Sequence, residues 1–172
     1  MRLRIVCLAL LLATPVAAQG TVSLPGGATA LTEQHGDWSV RCQVQPEAQR
    51  IGCVMVQEQL QSETRQRLLS VEFVPTGDAV AGNLVLPFGL DLQRGVVLQV
   101  DENPPLPALP FRTCLPQGCV VQLALGPEAL PVFSAGAQLG IATVSYAGAE
   151  TAFAVSLSGF TGALTRMREL MN

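Results

Sequence analysis

Residues 139–171 read LGIATVSYAGAETAFAVSLSGFTGALTRMRELM, and the change of period inside them decides the fold. Phe153, Val155 and Leu157 alternate with smaller or polar residues, so they fall on one face of a strand. From Phe160 the apolar positions are Phe160, Ala163, Leu164, Met167, Leu170 and Met171, spaced by three or four, with Arg166, Arg168 and Glu169 opposite. A strand pair followed by one amphipathic helix is predicted, with the helix lying on a sheet.

Upstream, short apolar or alternating runs recur between turn signals. They are DWSVRC (37–42), CVMVQEQL (53–60), RLLSVEFV (67–74), NLVLP (83–87), GVVLQVD (95–101) and CVVQLAL (119–125). With LGIATVSY (139–146) and AFAVSLS (152–158) they make eight strands at close spacing. The predicted fold class is all-β, a mostly antiparallel sandwich or barrel-like domain, closed by one C-terminal amphipathic helix. Trp38, Val40 and Cys42 share a core face, as do Val121, Leu123 and Leu125. Prolines 104, 105, 107 and 110 mark a stiff crossover between strands, in preference to a ligand for a peptide-binding module.

The first residues fit a secretory signal. Arg2 and Arg4 precede the apolar stretch Ile5–Ala13, and Val16-Ala17-Ala18 supplies the small residues of a cleavage site. The expected organisation is a signal peptide over 1–18, a flexible Gly/Ser/Thr-rich lead-in over 19–34, and a single β domain over 35–172. After cleavage no run is long and apolar enough for a membrane span. Cys7 leaves with the signal, and Cys42, Cys53, Cys114 and Cys119 remain. An even set in an oxidising compartment reads as two disulfides. Three pairings are open; the local one, Cys42 with Cys53 and Cys114 with Cys119, is the simplest, because each pair flanks a turn-like segment.

Composition excludes several kinds of chemistry. The chain of 172 residues is 49% hydrophobic and 13% charged, too apolar for disorder and about right for one domain. Its ten basic residues are all arginine, against thirteen acids, so no basic surplus exists to bind nucleic acid. Without lysine there is no Schiff-base chemistry. One histidine, His35, cannot build a multi-histidine metal centre, and no GxSxG, GxGxxG or P-loop pattern occurs. A four-thiolate zinc site is disfavoured because Cys42 and Cys53 lie too far apart in sequence, and CLPQGC is too widely spaced for a thioredoxin-type motif. No catalytic residue, metal ligand or cofactor site is therefore assigned. The charged stretch Glu63–Arg67 reads as a hairpin tip, and Arg65 and Arg67 are the candidate partner contacts.

Five blocks in order, HGDWSVRC, CVMVQEQ, LVLPFGLDLQRGVVLQVDE, PFRTCLPQGCVV and VSLSGFTGAL, resemble the invasion-associated locus B family of secreted alphaproteobacterial proteins over about residues 35–166. The resemblance implies a β-sandwich-like domain in the periplasm or cell envelope, with no known catalytic residues. The family's four cysteines match Cys42, Cys53, Cys114 and Cys119, which supports the local pairing. The function expected is a non-catalytic interaction protein binding an envelope or host component. The alternative is a small periplasmic hydrolase or glycan-active enzyme.

Overall fold

The computed structural model describes residues 22–172. The expected signal peptide and Cys7 lie outside them. In chain order the elements are β1 (Ala30–His35), β2 (Trp38–Gln45), β3 (Arg50–Leu60), β4 (Arg67–Thr76), β5 (Ala79–Leu86), β6 (Val97–Val100), β7 (Phe111–Leu115), β8 (Gly118–Leu125), α1 (Leu130–Ala135), β9 (Gln138–Val144), β10 (Glu150–Ser156) and α2 (Phe160–Met171). All eight expected runs are strands. The strands form two open, antiparallel sheets, one of seven in the order β1-β2-β3-β4-β5-β8-β7 and one of three in the order β10-β9-β6. Of the two architectures expected, the molecule adopts open sheets; it is not a closed barrel.

The core is the inner face of the larger sheet, covered by the smaller sheet and α2. Val40, Met55 and Phe73 lie opposite one another across β2, β3 and β4, and all are buried. Trp38 is fully enclosed, and its ring stacks on Phe73 and meets Phe160 edge to face, with centroids 6.0 and 5.4 Å apart. Helix α2 buries Phe160, Ala163, Leu164, Met167 and Leu170, the stripe that its spacing predicts. Met171 remains partly exposed, and Phe153 is only half-buried.

A polar seam joins the two sheets. Strand β10 is an edge of its sheet, and an edge leaves backbone groups unpaired. The buried Gln57 amide fills that role: its Nε2 donates to the Ser156 carbonyl at 2.9 Å, and its Oε1 accepts from the Ser156 amide at 3.2 Å. Gln59 Nε2 donates to the Ala154 carbonyl at 2.6 Å, and the Trp38 indole to that of Ser156 at 3.0 Å. The edge of β6 is covered differently. The proline-rich stretch runs along it, with backbone bonds of 2.8 to 2.9 Å linking Leu106 to Leu98 and Leu109 to Val96.

The expected flexible lead-in is corrected over its described part. Leu24 is buried in the core, and Ala30–His35 pair with β2 along their whole length. The pairing was hidden because only Leu31 among the inward positions is apolar, while Glu33 finds its partner on α2. Strand β7 and helix α1 lie outside the eight expected runs. Phe111 is the only half-buried residue of β7, so that strand has no alternating pattern to read.

Both disulfides join residues directly opposite on neighbouring strands, Cys42 with Cys53 and Cys114 with Cys119. Their Cα separations of 4.1 and 3.9 Å correspond to the narrow pairs of an antiparallel ladder. Replacing Cys42 and Cys53 together by alanine should lower stability by about 2–3 kcal/mol. Urea midpoints of the purified protein measure this. The mature protein, from which Cys7 is expected to be cleaved, should show no thiol reactive to alkylation in denaturant.

Candidate functional site

Nine large hydrophobic side chains are exposed among the described residues, and six of them gather at one end of the molecule. The strand register places them there. Leu60 and Leu68 flank the β3–β4 turn, where Leu60 is opposite Arg67. Strand β5 ends beside the start of β4, with Ser70 opposite Val85, and so delivers the loop that carries Phe88 and Leu92 to the same end. Leu86 faces Cys119, which puts the β7–β8 turn and its exposed Leu115 alongside.

The β9–β10 turn comes to this end as well, because Gln57 and Gln59 fix the direction of β10 against β3. Tyr146, the chain's single tyrosine, stands on that turn at 88% exposure, and Phe88 is 60% exposed. The two aromatic loops are tied together. The Tyr146 amide donates to the Gly89 carbonyl at 2.8 Å, the Asp91 amide to that of Val144 at 2.8 Å, and Leu90 bridges to Ser145. Exposed apolar side chains held by hydrogen-bonded turns on a rigid sheet are a recognisable mark of a contact surface.

Of the two arginines singled out from sequence, only Arg65 lies on the turn itself, in a left-handed conformation with φ of 57°. Arg67 is the first residue of β4, and its guanidinium lies 3.6 Å from Glu58, which also meets Arg41 at 3.5 Å. The tip thus offers, in Arg65, one arginine without an ion-pair partner among the described residues, beside Leu60 and Leu68. The apolar members were missed in the sequence because an isolated Leu or Phe at a turn carries no signal until the turns are brought together.

His35 is the last residue of β1. Its Nε2 lies 3.5 Å from the Glu33 carboxylate. Glu33 itself receives two hydrogen bonds from Arg166 of α2, at 2.7 and 2.9 Å, and Arg166 also reaches Glu169 at 3.3 Å. This ties the edge strand to the helix. The hydrogen bonds from Arg166, opposed by burial and reinforced by the guanidinium charge, hold the Glu33 carboxyl below its ordinary value of 4.5.

The linkage has a definite sign. A depressed carboxyl stabilises the fold above its unfolded-state value, and that contribution is lost as pH falls through the folded-state value. Glu33→Gln should therefore lower stability at neutral pH and flatten part of its fall below about pH 4.5. Urea midpoints measured across that range test the shift.

Among the described residues no group of three His, Cys, Asp or Glu side chains is close enough to hold a metal ion. An open groove of about 660 Å³ has Arg41, Gln43, Arg50, Gly52 and Val54 in its lining. Arg50 there is engaged by Gln45 at 2.8 Å. No helix of the described residues is long and apolar enough to cross a membrane.

The two open sheets, paired cross-strand disulfides and covering C-terminal helix define a disulfide-stapled, mostly antiparallel β domain. Residues 38–168 match the family model described as invasion associated locus B protein, and the chain belongs to that family. It is 40% identical over 150 residues to an invasion protein B homolog of Brucella abortus strain 2308, covering 86% of this chain and 85% of the relative. It is 36% identical over 161 residues to invasion protein B of Bartonella bacilliformis, covering 91% and 85%. The crystal structure of invasion associated protein B from Bartonella henselae is similar, with a TM-score of 0.75 at 30% identity, over 81% of this chain and 96% of that one.

Proposed function

We propose that this protein is a secreted, periplasmic or cell-envelope interaction protein that works by binding rather than by catalysis. The observation that carries the reading is the gathering of Leu60, Leu68, Phe88, Leu92, Leu115 and Tyr146 at one end, on turns that the sheets hold in place. Exposed aromatic side chains on rigid turns contribute contact area at little entropic cost, so they suit recognition. Two intramolecular disulfides support an oxidising compartment. Arg65 is the charged contact at the rim. The relatives' names concern invasion, and a role in invasion is not part of the proposal.

A photo-crosslinking amino acid placed at Tyr146, and separately at Val132, tests it in living cells. Position 146 should yield adducts with an envelope component, and Val132, outside the cluster, should not. Identical adducts from both positions, or none from either, would overturn the assignment of this end. His35→Ala should leave the fold and any biological effect intact. Loss of effect in a folded His35 variant would instead favour the hydrolase reading.

A further inference from the structure

Resting on that reading, we infer that the component met by this end is a lipid surface, into whose interfacial layer the turns insert their side chains. The first argument is shape. None of the six lines the grooves around Arg41, Arg94, Val100, Asp101 or Gln99, and Tyr146 and Phe88 stand out from the surface. Several separate apolar points at one end of a molecule can enter a bilayer interface together, without a matching cavity in a partner.

The second argument is chemistry. The protruding set combines aliphatic Leu60, Leu68, Leu92 and Leu115 with aromatic Phe88 and Tyr146. A tyrosine suits the boundary between headgroups and acyl chains, where its ring is apolar and its hydroxyl stays wet. Arg65, with its long aliphatic stem, can place that stem along the apolar layer while the guanidinium remains at headgroup level.

Charge is the third. The turn segments 60–68, 87–95, 114–119 and 145–150 carry three arginines and three acids, whereas the rest of the described chain carries five arginines and ten acids. The excess negative charge is therefore kept away from this end, and an anionic bilayer approached by the turns meets a neutral face. The protein binds reversibly from solution, with the strand axes directed toward the membrane and α2 held off it.

Flotation of the mature protein with protein-free vesicles tests this, using phosphatidylcholine alone and an equal mixture of phosphatidylcholine and phosphatidylglycerol. The protein should float with both, and the binding should persist in high salt because it is apolar. The triple variant F88S/L92S/Y146S should bind at least about tenfold more weakly with an unchanged melting temperature, whereas V132S should bind as the wild type does. Absence of flotation, equal flotation of the triple variant, or association of the protein only with its own copies would each overturn the inference. Adducts from position 146 with an envelope protein, in a chain that does not float, would remove the lipid assignment and leave the binding reading standing. Failure of both experiments would remove both.

Discussion

Gly159→Ala is expected to unfold a large part of the domain's margin, costing about 3 kcal/mol or more. Gly159 is the residue before α2 and holds φ of 88°, a left-handed backbone that alanine disfavours. Space is the larger difficulty. A Cβ at this position would overlap the carbonyl oxygen of His35, backbone against backbone, with no flexible side chain to yield. The β1–β2 turn and the start of α2 approach this closely because the Asp37 amide donates to the Ser158 carbonyl at 3.0 Å. Either α2 tilts off the core or β1 leaves the sheet.

Two companion variants separate the causes. Gly159→Asn tolerates the left-handed backbone but keeps the Cβ, so it should not rescue stability. Gly148→Ala, at φ of 87° with nothing near the added atom, should show only the backbone cost of about 1–2 kcal/mol. Thermal unfolding checks all three, with Gly159→Ala expected to fall by about 6–12 °C or more. A Gly159→Ala midpoint equal to that of Gly148→Ala would show that the close approach is not what the glycine serves.

Phe160→Ala should cost about 3–5 kcal/mol. Phe160 is fully enclosed, and its ring meets three others: Trp38 at 5.4 Å, Phe133 at 5.8 Å and Phe73 at 5.9 Å between centroids. These rings come from the larger sheet and from α1, while Phe160 comes from α2, so truncation opens a cavity where three elements meet and none can close it alone. Phe160→Leu should cost less, because it leaves a smaller void. Denaturant midpoints measure both, and the near-ultraviolet circular dichroism of the single tryptophan should weaken in Phe160→Ala. An unchanged midpoint would mean that α2 does not dock through this residue.

Much of this was legible from short stretches. The alternation through Trp38, Val40 and Cys42 gives a buried face at those same residues, and the spacing from Phe160 to Leu170 gives the buried stripe of α2. Strand β1 was not legible. Its inward residues include Glu33, which is tolerated only because Arg166, distant in sequence, supplies two hydrogen bonds. Arg67 shows the same limit in reverse, since a residue read as a projecting tip lies against Glu58 of the neighbouring strand.

The sequence by itself determined the class of fold, the eight principal strands and the amphipathic helix. Each depends on side chains within a few residues of one another, and strand and helix periods express that spacing directly. Only the tertiary structure decided that the sheets stay open, that Gln57 and Gln59 bind the edge of β10, and that six scattered apolar residues share one end. Those outcomes depend on strand register and on backbone groups left unpaired at sheet edges. Register is set by contacts between residues as far apart as Gln57 and Ser156, which no local period encodes.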